Sequence, residues 1–210
     1  MNRQTILLSC GSFNPPTIAH LRMMEVARDY LSFLPNPYSV IEGIFSPASS
    51  TYATISSSWL RVDDWEVRKG DWSRTRQVLN HHRECARIRL NDPNLSCMLV
   101  CGGDLVESFN RILPDGTSLW EEDDVRAIVM DFGLIVVNRE GSNPLTTLGS
   151  FGFPRQYMNI ITDEAIPNDV SSTRLRQQIE NGRSIRYCTP DGVIDYIEKH
   201  GLYNKPNGFN

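Results

Sequence analysis

The chain has 210 residues, enough for one well-packed domain and small for two, so a single domain over 1–210, with its core in about 5–203, is expected. Apolar residues make up 40% and charged residues 22%, a balance far from the signatures of disorder or membrane spanning. The formal net charge of −4 gives no overall attraction to nucleic acid or anionic lipid, so neither is an expected partner, although a local basic pocket can still hold a small anion.

Thr5 to Cys10 is a short apolar run that stops at Gly11, as a buried parallel strand would. Gly11-Ser12-Phe13-Asn14-Pro15-Pro16 breaks regular structure, and from Thr17 the apolar residues Ile18, Leu21, Met24, Ala27 and Leu31 fall at helical spacing. Pro35-Asn36-Pro37 turns the chain into a second strand, Tyr38 to Phe45, and Trp59 to Val62 is a weaker third. A helical pattern from about Trp72 to Leu90 is closed by Pro93 before the run Cys97 to Cys101. A helix near Glu121–Met130 then leads to Leu134–Val137, and Met158–Ile161 is a further strand. Helices from Ser171-Ser172-Thr173 to about Gly182 and from Asp191 to His200 end the chain. Strands alternating with helices imply an α/β fold: a Rossmann-like open parallel sheet with helices on both faces and a ligand crevice beyond the carboxyl ends of its strands.

Five scattered cysteines, Cys10, Cys85, Cys97, Cys101 and Cys188, with no signal peptide before them, favour a reducing compartment. Cys97 and Cys101 lie on one side of their strand and read as buried thiols. His81, His82 and Cys85 fall in a polar helical stretch with no second cluster to complete four ligands, so they are expected at the surface and no protein metal site is expected.

Two segments carry chemistry. A glycine-containing loop between a strand and a helix offers unpaired backbone N–H groups at a helix N-terminus, which attract phosphate. Thr17 and His20, three apart, present a hydroxyl and an imidazole on one side of that first turn, as donors to one anion. Asn168-Asp169-Val170-Ser171-Ser172-Thr173-Arg174-Leu175-Arg176 is the second: hydroxyls at a helix N-terminus with arginines one turn in can converge on phosphate oxygens. Each alone has a plain reading, a capping residue beside a solvated or satisfied side chain. A Gly-x-Gly-x-x-Gly dinucleotide fingerprint and a Walker phosphate loop are both absent.

In this order, at opposite ends of an α/β domain, Gly11-Ser12-Phe13-Asn14-Pro15-Pro16-Thr17-Ile18-Ala19-His20 and Val170-Ser171-Ser172-Thr173-Arg174-Leu175-Arg176 resemble the nucleotidyltransferase superfamily. Cys101-Gly102-Gly103-Asp104-Leu105-Val106-Glu107-Ser108-Phe109, Leu119-Trp120, Ser184-Ile185-Arg186-Tyr187 and Tyr196-Ile197-Glu198-Lys199-His200 are similar to the eukaryotic nicotinamide/nicotinic acid mononucleotide adenylyltransferases in particular. The resemblance implies adenylyl transfer from ATP to nicotinamide or nicotinic acid mononucleotide, with Mg²⁺ bound to ATP rather than to dedicated protein ligands. It implies that Gly11, Ser12, Phe13 and Thr17 hold phosphate. His20 and Arg176 stabilise the reacting phosphates, and Ser171, Ser172 and Thr173 hold the rest of the triphosphate. Gly102 and Asp104 contact the nucleotide, Asp104 near the ribose hydroxyls, while Arg139 and Asn168 lie near the ATP end. Trp72, Thr75, Leu119 and Trp120, with Ser12, match the mononucleotide positions, where a pyridinium stacks between indole faces. The same resemblance implies a homo-oligomer inside the cell, in cytoplasm or nucleus, with the mitochondrion left open. A catalytically impaired relative kept as an interaction module, or transfer to another small phosphate such as pantetheine phosphate, are the competing readings; the Trp72 and Trp120 pair argues against the second.

One interruption stands out. Between Pro47 and Trp59 the chain has only Ala48 to Ser58, where family members carry a lysine-containing loop and a crossover helix; the first lysine here is Lys69. A parallel crossover normally takes about a dozen or more residues including a helix, so either an extended loop spans the sheet or the third strand is misplaced. Weakened mononucleotide binding and lower stability are expected.

Overall fold

The computed structural model describes residues 3–48, 57–164, 166 and 169–203. Its apolar runs become six parallel strands: β1 (Arg3–Gly11), β2 (Tyr38–Pro47), β3 (Leu60–Val62), β4 (Ser96–Gly102), β5 (Leu134–Asn138) and β6 (Asn159–Thr162), in the order β3-β2-β1-β4-β5-β6. Because the chain steps from β1 outward to β2 and β3 and then returns to lay β4 on the other side of β1, the switch point falls between β1 and β4. Helices leaving adjacent strands in opposite directions open a crevice there.

Side-chain alternation along the strands builds two cores. Ile6 and Leu8 of β1, Cys97, Leu99 and Cys101 of β4, and Leu134 and Val136 of β5 pack on one face. That face is covered by helix α3 (Thr75–Leu90) through Val78 and Leu79, and by α5 (Glu122–Ala127) and the wider turn continuing it through Val125, Ile128 and Val129. Leu7, Met98, Val100 and Ile135 point to the other face, where α1 (Ile18–Ser32) lays Met24, Ala27 and Leu31 across the sheet. A smaller cluster, Leu175, Ile185, Val193, Ile194 and Ile197, joins the C-terminal helices α7 (Ser172–Glu180) and α8 (Asp191–His200). Three short helices escape a reading based on long periodic runs: α2 (Trp65–Lys69), α4 (Gly103–Glu107) and α6 (Pro144–Ser150). The stretch expected to start a helix at Trp72 is instead a loop, and α3 begins at Thr75.

The third strand is not misplaced: Gly43, Ile44 and Phe45 of β2 pair in parallel with Leu60, Arg61 and Val62. The extended loop expected in place of a crossover helix falls on residues 49–56, outside the described residues. The end of that connection has a clear packing role. Trp59 donates from Nε1 to Glu25 Oε1 at 2.8 Å, and the Arg28 guanidinium lies 4.7 Å above its ring. A Cβ on Gly43 would come within 2.5 Å of Leu60, 2.7 Å of Trp59 and 2.9 Å of Met24. Glycine is thus required where Trp59 and Leu60 lie against β2 beneath α1.

His82 corrects the expectation of a surface histidine. It is 2% exposed, inside α3, with its ring edge-on to Trp65 at 6.3 Å. His81 stacks on the same indole at 3.9 Å. Polar neighbours in sequence hid the fact that one side of α3 is pressed against the sheet. Cys85 is exposed as expected, and Cys97 and Cys101 are buried; burial pushes the Cys97 thiol up to about 12.

Candidate active site

The carboxyl ends of β1, β4, β5 and β6 open onto a cleft of about 670 Å³, walled by the first turns of α1 and by residues 169–173 at the start of α7. It lies at the topological switch point, where open parallel sheets bind ligands. Gly11, Ser12, Phe13, His20, Gly102, Asp104, Arg139, Ser171, Ser172 and Thr173, all expected from sequence, line it. Asn168 lies outside the described residues.

The loop after β1 is shaped from within. Phe13 adopts a positive φ of 43°, and its ring is buried edge-on to both His20 (5.1 Å) and Phe45 (5.4 Å). The Phe13 ring is therefore committed to the core and to the imidazole, which leaves its backbone for the cleft. Thr17 is fully buried and absent from the cleft wall, so it does not share an anion with His20. Its backbone N–H donates to His20 Nδ1 at 2.9 Å, and its hydroxyl lies 2.9 Å from the same nitrogen. An N–H aimed at Nδ1 requires a lone pair there, so the ring proton is on Nε2, the nitrogen left for the cleft. Burial lowers the His20 pKa to about 4, partly opposed by Asp104. His20 is thus a neutral hydrogen-bond donor near pH 7 in the ligand-free protein.

The second phosphate element meets the first. Ser171 caps α7, accepting from the Arg174 N–H at 3.3 Å. Ser172 Oγ donates to the Pro15 carbonyl at 2.7 Å, and Arg176 Nη1 donates to the Asn14 carbonyl at 2.5 Å, with Nη2 3.3 Å from Thr173 Oγ1. Ser172 and Arg176 therefore brace the β1 loop, and Arg176, half-buried, is not part of the cleft wall. Exposed Thr173 and the hydroxyl of Ser171 remain at the wall.

On the β4 side, two glycines meet close neighbours, and only at Gly103 are those neighbours held in place, by the Ser142–Asn138 hydrogen bond. A Cβ on Gly102 would stand 2.5 Å from Asp104 Oδ1, and one on Gly103 would stand 2.3 Å from Ser142 Oγ and 2.6 Å from Asn138 Oδ1. Asp104 and Arg139 face each other loosely, 3.9 Å apart and both largely exposed, so each is free to turn to a ligand. Sequence reasoning missed two pairs here. Asn138 and Ser142 hold each other at 2.6 Å behind Gly103. Arg22 of α1 grips Asp163 through Nε at 2.6 Å and Nη2 at 3.2 Å, tying α1 to the segment after β6. Asn138 ends its strand as a motif of one residue, and the 141-residue separation of Arg22 and Asp163 leaves no local signal.

The four aromatic-side candidates lie apart from this cleft. Trp72 is 73% exposed on the loop before α3, and Thr75 opens that helix. Trp120 packs edge-on to Phe109 at 4.8 Å and donates from Nε1 to Ser108 Oγ at 3.0 Å; Leu119 is anchored by its N–H to the Arg111 carbonyl. The two loops are joined by Arg74, which pairs with Glu121 at 3.2 Å and Asp124 at 3.6 Å, and by Arg76, 3.2 Å from Asp124. The expected facing pair of indoles is not assembled: one is already packed, and the other stands in solvent. Among the described residues, no group of three or more His, Cys, Asp or Glu side chains is placed to hold a metal ion.

Residues 8–178 match the cytidylyltransferase-like family. The chain is 47% identical to nicotinamide/nicotinic acid mononucleotide adenylyltransferase 2 of Caenorhabditis elegans, over 97% of this chain and 99% of that one. It is 33% identical to nicotinamide/nicotinic acid mononucleotide adenylyltransferase 1 of Bos taurus, over 96% and 89%. These alignments run over 224 and 256 positions, more than this chain's 210 residues, so both relatives carry residues with no counterpart here. The fold is similar to that of the Plasmodium falciparum nicotinic acid mononucleotide adenylyltransferase solved with NaAD, with a TM-score of 0.62 at 20% identity over 96% of this chain and 98% of that one. Identity at that level over nearly the whole chain, on a parallel sheet whose switch-point cleft gathers both phosphate-facing elements, leaves one assignment: the chain belongs to the cytidylyltransferase-like family and, within it, to the nicotinamide/nicotinic acid mononucleotide adenylyltransferases.

Proposed function

We propose that this protein transfers the AMP part of ATP to nicotinamide or nicotinic acid mononucleotide, forming the dinucleotide and pyrophosphate in NAD biosynthesis. The observation that carries this reading is the aim of His20: its Nδ1 is fixed by the Thr17 N–H, and its protonated Nε2 is left to a cleft lined by the loop after β1 and the start of α7. In the reaction a mononucleotide 5′-phosphate oxygen attacks the α-phosphorus, a new P–O bond forms, and the bond from that phosphorus to the bridging oxygen of pyrophosphate breaks. The nucleophile is already ionised near neutrality, so no general base is needed. Catalysis then consists of holding two anions in line and stabilising charge that develops between them.

His20 Nε2–H suits a donor to the phosphate oxygens of the reacting centre, and Ser12, Ser171 and Thr173 supply further donors at the wall. Asp104, an acceptor at the end of β4, suits the ribose hydroxyls, and Arg139 the triphosphate. Mg²⁺ would enter bound to ATP and offset charge on the leaving phosphates, with phosphate oxygens and water as its ligands. Trp72 and Trp120 are proposed as the pyridine-side pair, brought face to face only when mononucleotide binds. The relatives' names include both mononucleotides, and both are proposed as substrates here. A homo-oligomer is proposed as the working assembly.

The test is a coupled assay that follows dinucleotide formation from ATP with each mononucleotide, alongside direct binding of ATP. Turnover with either mononucleotide supports the reading. ATP binding without turnover would favour a relative that keeps the fold without the activity, and neither binding nor turnover would refute the assignment of the cleft.

A further inference from the structure

The loop from Asn14 to Thr17 is held by side chains from the far end of the chain. Prolines at 15 and 16 have no N–H to give, and the carbonyls of Asn14, Pro15 and Pro16 each take a separate donor: Arg176 Nη1 at 2.5 Å, Ser172 Oγ at 2.7 Å and Thr189 Oγ1 at 2.7 Å. The Tyr203 hydroxyl bonds Asn14 Oδ1, and the Ile18 N–H donates to the Cys188 carbonyl at 3.0 Å. Of these contacts, only the one from Thr189 falls on the peptide group between Pro16 and Thr17. That group is planar, with its C=O and N–H fixed to opposite sides. Its oxygen takes the Thr189 hydroxyl and its N–H is the donor that fixes His20 Nδ1 at 2.9 Å. Thr189 is 3% exposed and Thr17 fully buried, so water does not substitute readily at this point.

We propose that Thr189 is a positioning residue for His20, acting through the single peptide group that joins Pro16 to Thr17. The hydroxyl anchors one edge of the peptide plane, and the opposite edge selects the imidazole tautomer and its orientation toward the cleft. Without that anchor, the buried Pro16 carbonyl lacks its donor, and the plane turns to find another, taking its N–H off the imidazole. This inference rests on the reading of His20 as the donor to reacting phosphate. It gives a residue 173 positions from its partner a part in setting up the reaction.

The experiment compares Thr189→Val, which keeps shape and removes the donor, with Thr189→Ser, which keeps the hydroxyl. The ¹⁵N shifts of His20 in the ligand-free protein report its tautomer directly. Wild type and Thr189→Ser are expected to carry the proton on Nε2, and Thr189→Val to show a mixture with the Nδ1–H form. Turnover of Thr189→Val is expected to fall about tenfold with the mononucleotide KM unchanged, as for loss of an interaction made mainly in the transition state. In a His20→Ala background the valine substitution is expected to cost nothing more. Should the valine variant fail to fold, Thr189→Cys, a weaker donor of similar size, replaces it and is expected to shift the tautomer ratio in the same direction. An unchanged His20 tautomer in the variant, or an equal loss of turnover with and without His20, would overturn the proposal. An inactive wild type would count against the functional reading alone, because the tautomer measurement needs no turnover.

Discussion

His20 gains its donor role from being held neutral. A half-buried imidazole beside the Phe13 ring, with Nδ1 committed to Thr17, presents one N–H to the cleft and carries no charge of its own to desolvate. Replacing it by alanine is expected to lower turnover by about two to four orders of magnitude, the range for removing a preorganised charge stabiliser, with a smaller change in ATP affinity. Steady-state kinetics paired with calorimetric ATP binding measures both, and unaltered turnover would remove His20 from the chemistry. His82 is the instructive counterpart, since its Nε2 is buried without a hydrogen-bond partner among the described residues. Burial lowers both His20 and His82 from 6.5 to about 4. Above about pH 6.5 the imidazoles are neutral in folded and unfolded chain alike, and the stability is fully present. Between 6.5 and 4 the unfolded chain takes up protons that the folded one does not, so stability is lost as pH falls through that window. Urea melts at stepped pH should show this loss, and His82→Gln should make it shallower; equal slopes would mean that His82 is solvated when folded.

At the scale of elements, the region between β2 and β3 tests how a shortened connection is tolerated. Gly43 sits where Leu60, Trp59 and Met24 of α1 converge, and a methyl group there must displace all three side chains. Gly43→Ala is expected to destabilise the fold by about 1–3 kcal/mol, the usual cost of overpacking a well-filled site. A thermal melt within error of wild type would mean that Trp59 swings away freely and does not brace the edge of the sheet. The existence of β1, α1, β2, β4, β5, α7 and α8 is legible in their hydrophobic period and their stop residues. The short helices α2, α4 and α6 are not, because five to seven residues complete too few turns to show a period.

Across the whole molecule, the connection between β2 and β3 is the segment that falls short of the expected pattern. The chain has no lysine before Lys69 and only the eleven residues Ala48 to Ser58 between Pro47 and Trp59, and the two longer relatives named above carry residues that it does not. Among the described residues, the switch-point cleft is lined from β1, β4, β5, β6 and the starts of α1 and α7. Inserting a family-like lysine loop and helix between Pro47 and Trp59 is therefore expected to lower the mononucleotide KM and raise the melting temperature, with the ATP KM unchanged. Kinetics with each substrate and a melt of both proteins would decide this, and no change in mononucleotide KM or melting temperature would show the short connection to be sufficient.

The sequence alone determined the order of strands and helices along the chain, the location of the two motif-bearing loops and the glycine that ends β1 and β4, because these follow from period, chain stops and motif order. The tertiary structure decided what each polar group in those elements does. Ser172 and Arg176 look like phosphate ligands from their helix position, yet they reach Pro15 and Asn14, 157 and 162 residues away, and hold the loop. Thr17 looks like a partner of His20 at the anion and is instead buried behind it. Trp72 and Trp120 read alike, but one ring is exposed and the other packed on Phe109. A hydroxyl, guanidinium or indole takes whichever partner the fold brings within reach, and partners that distant in sequence leave no trace in its local pattern.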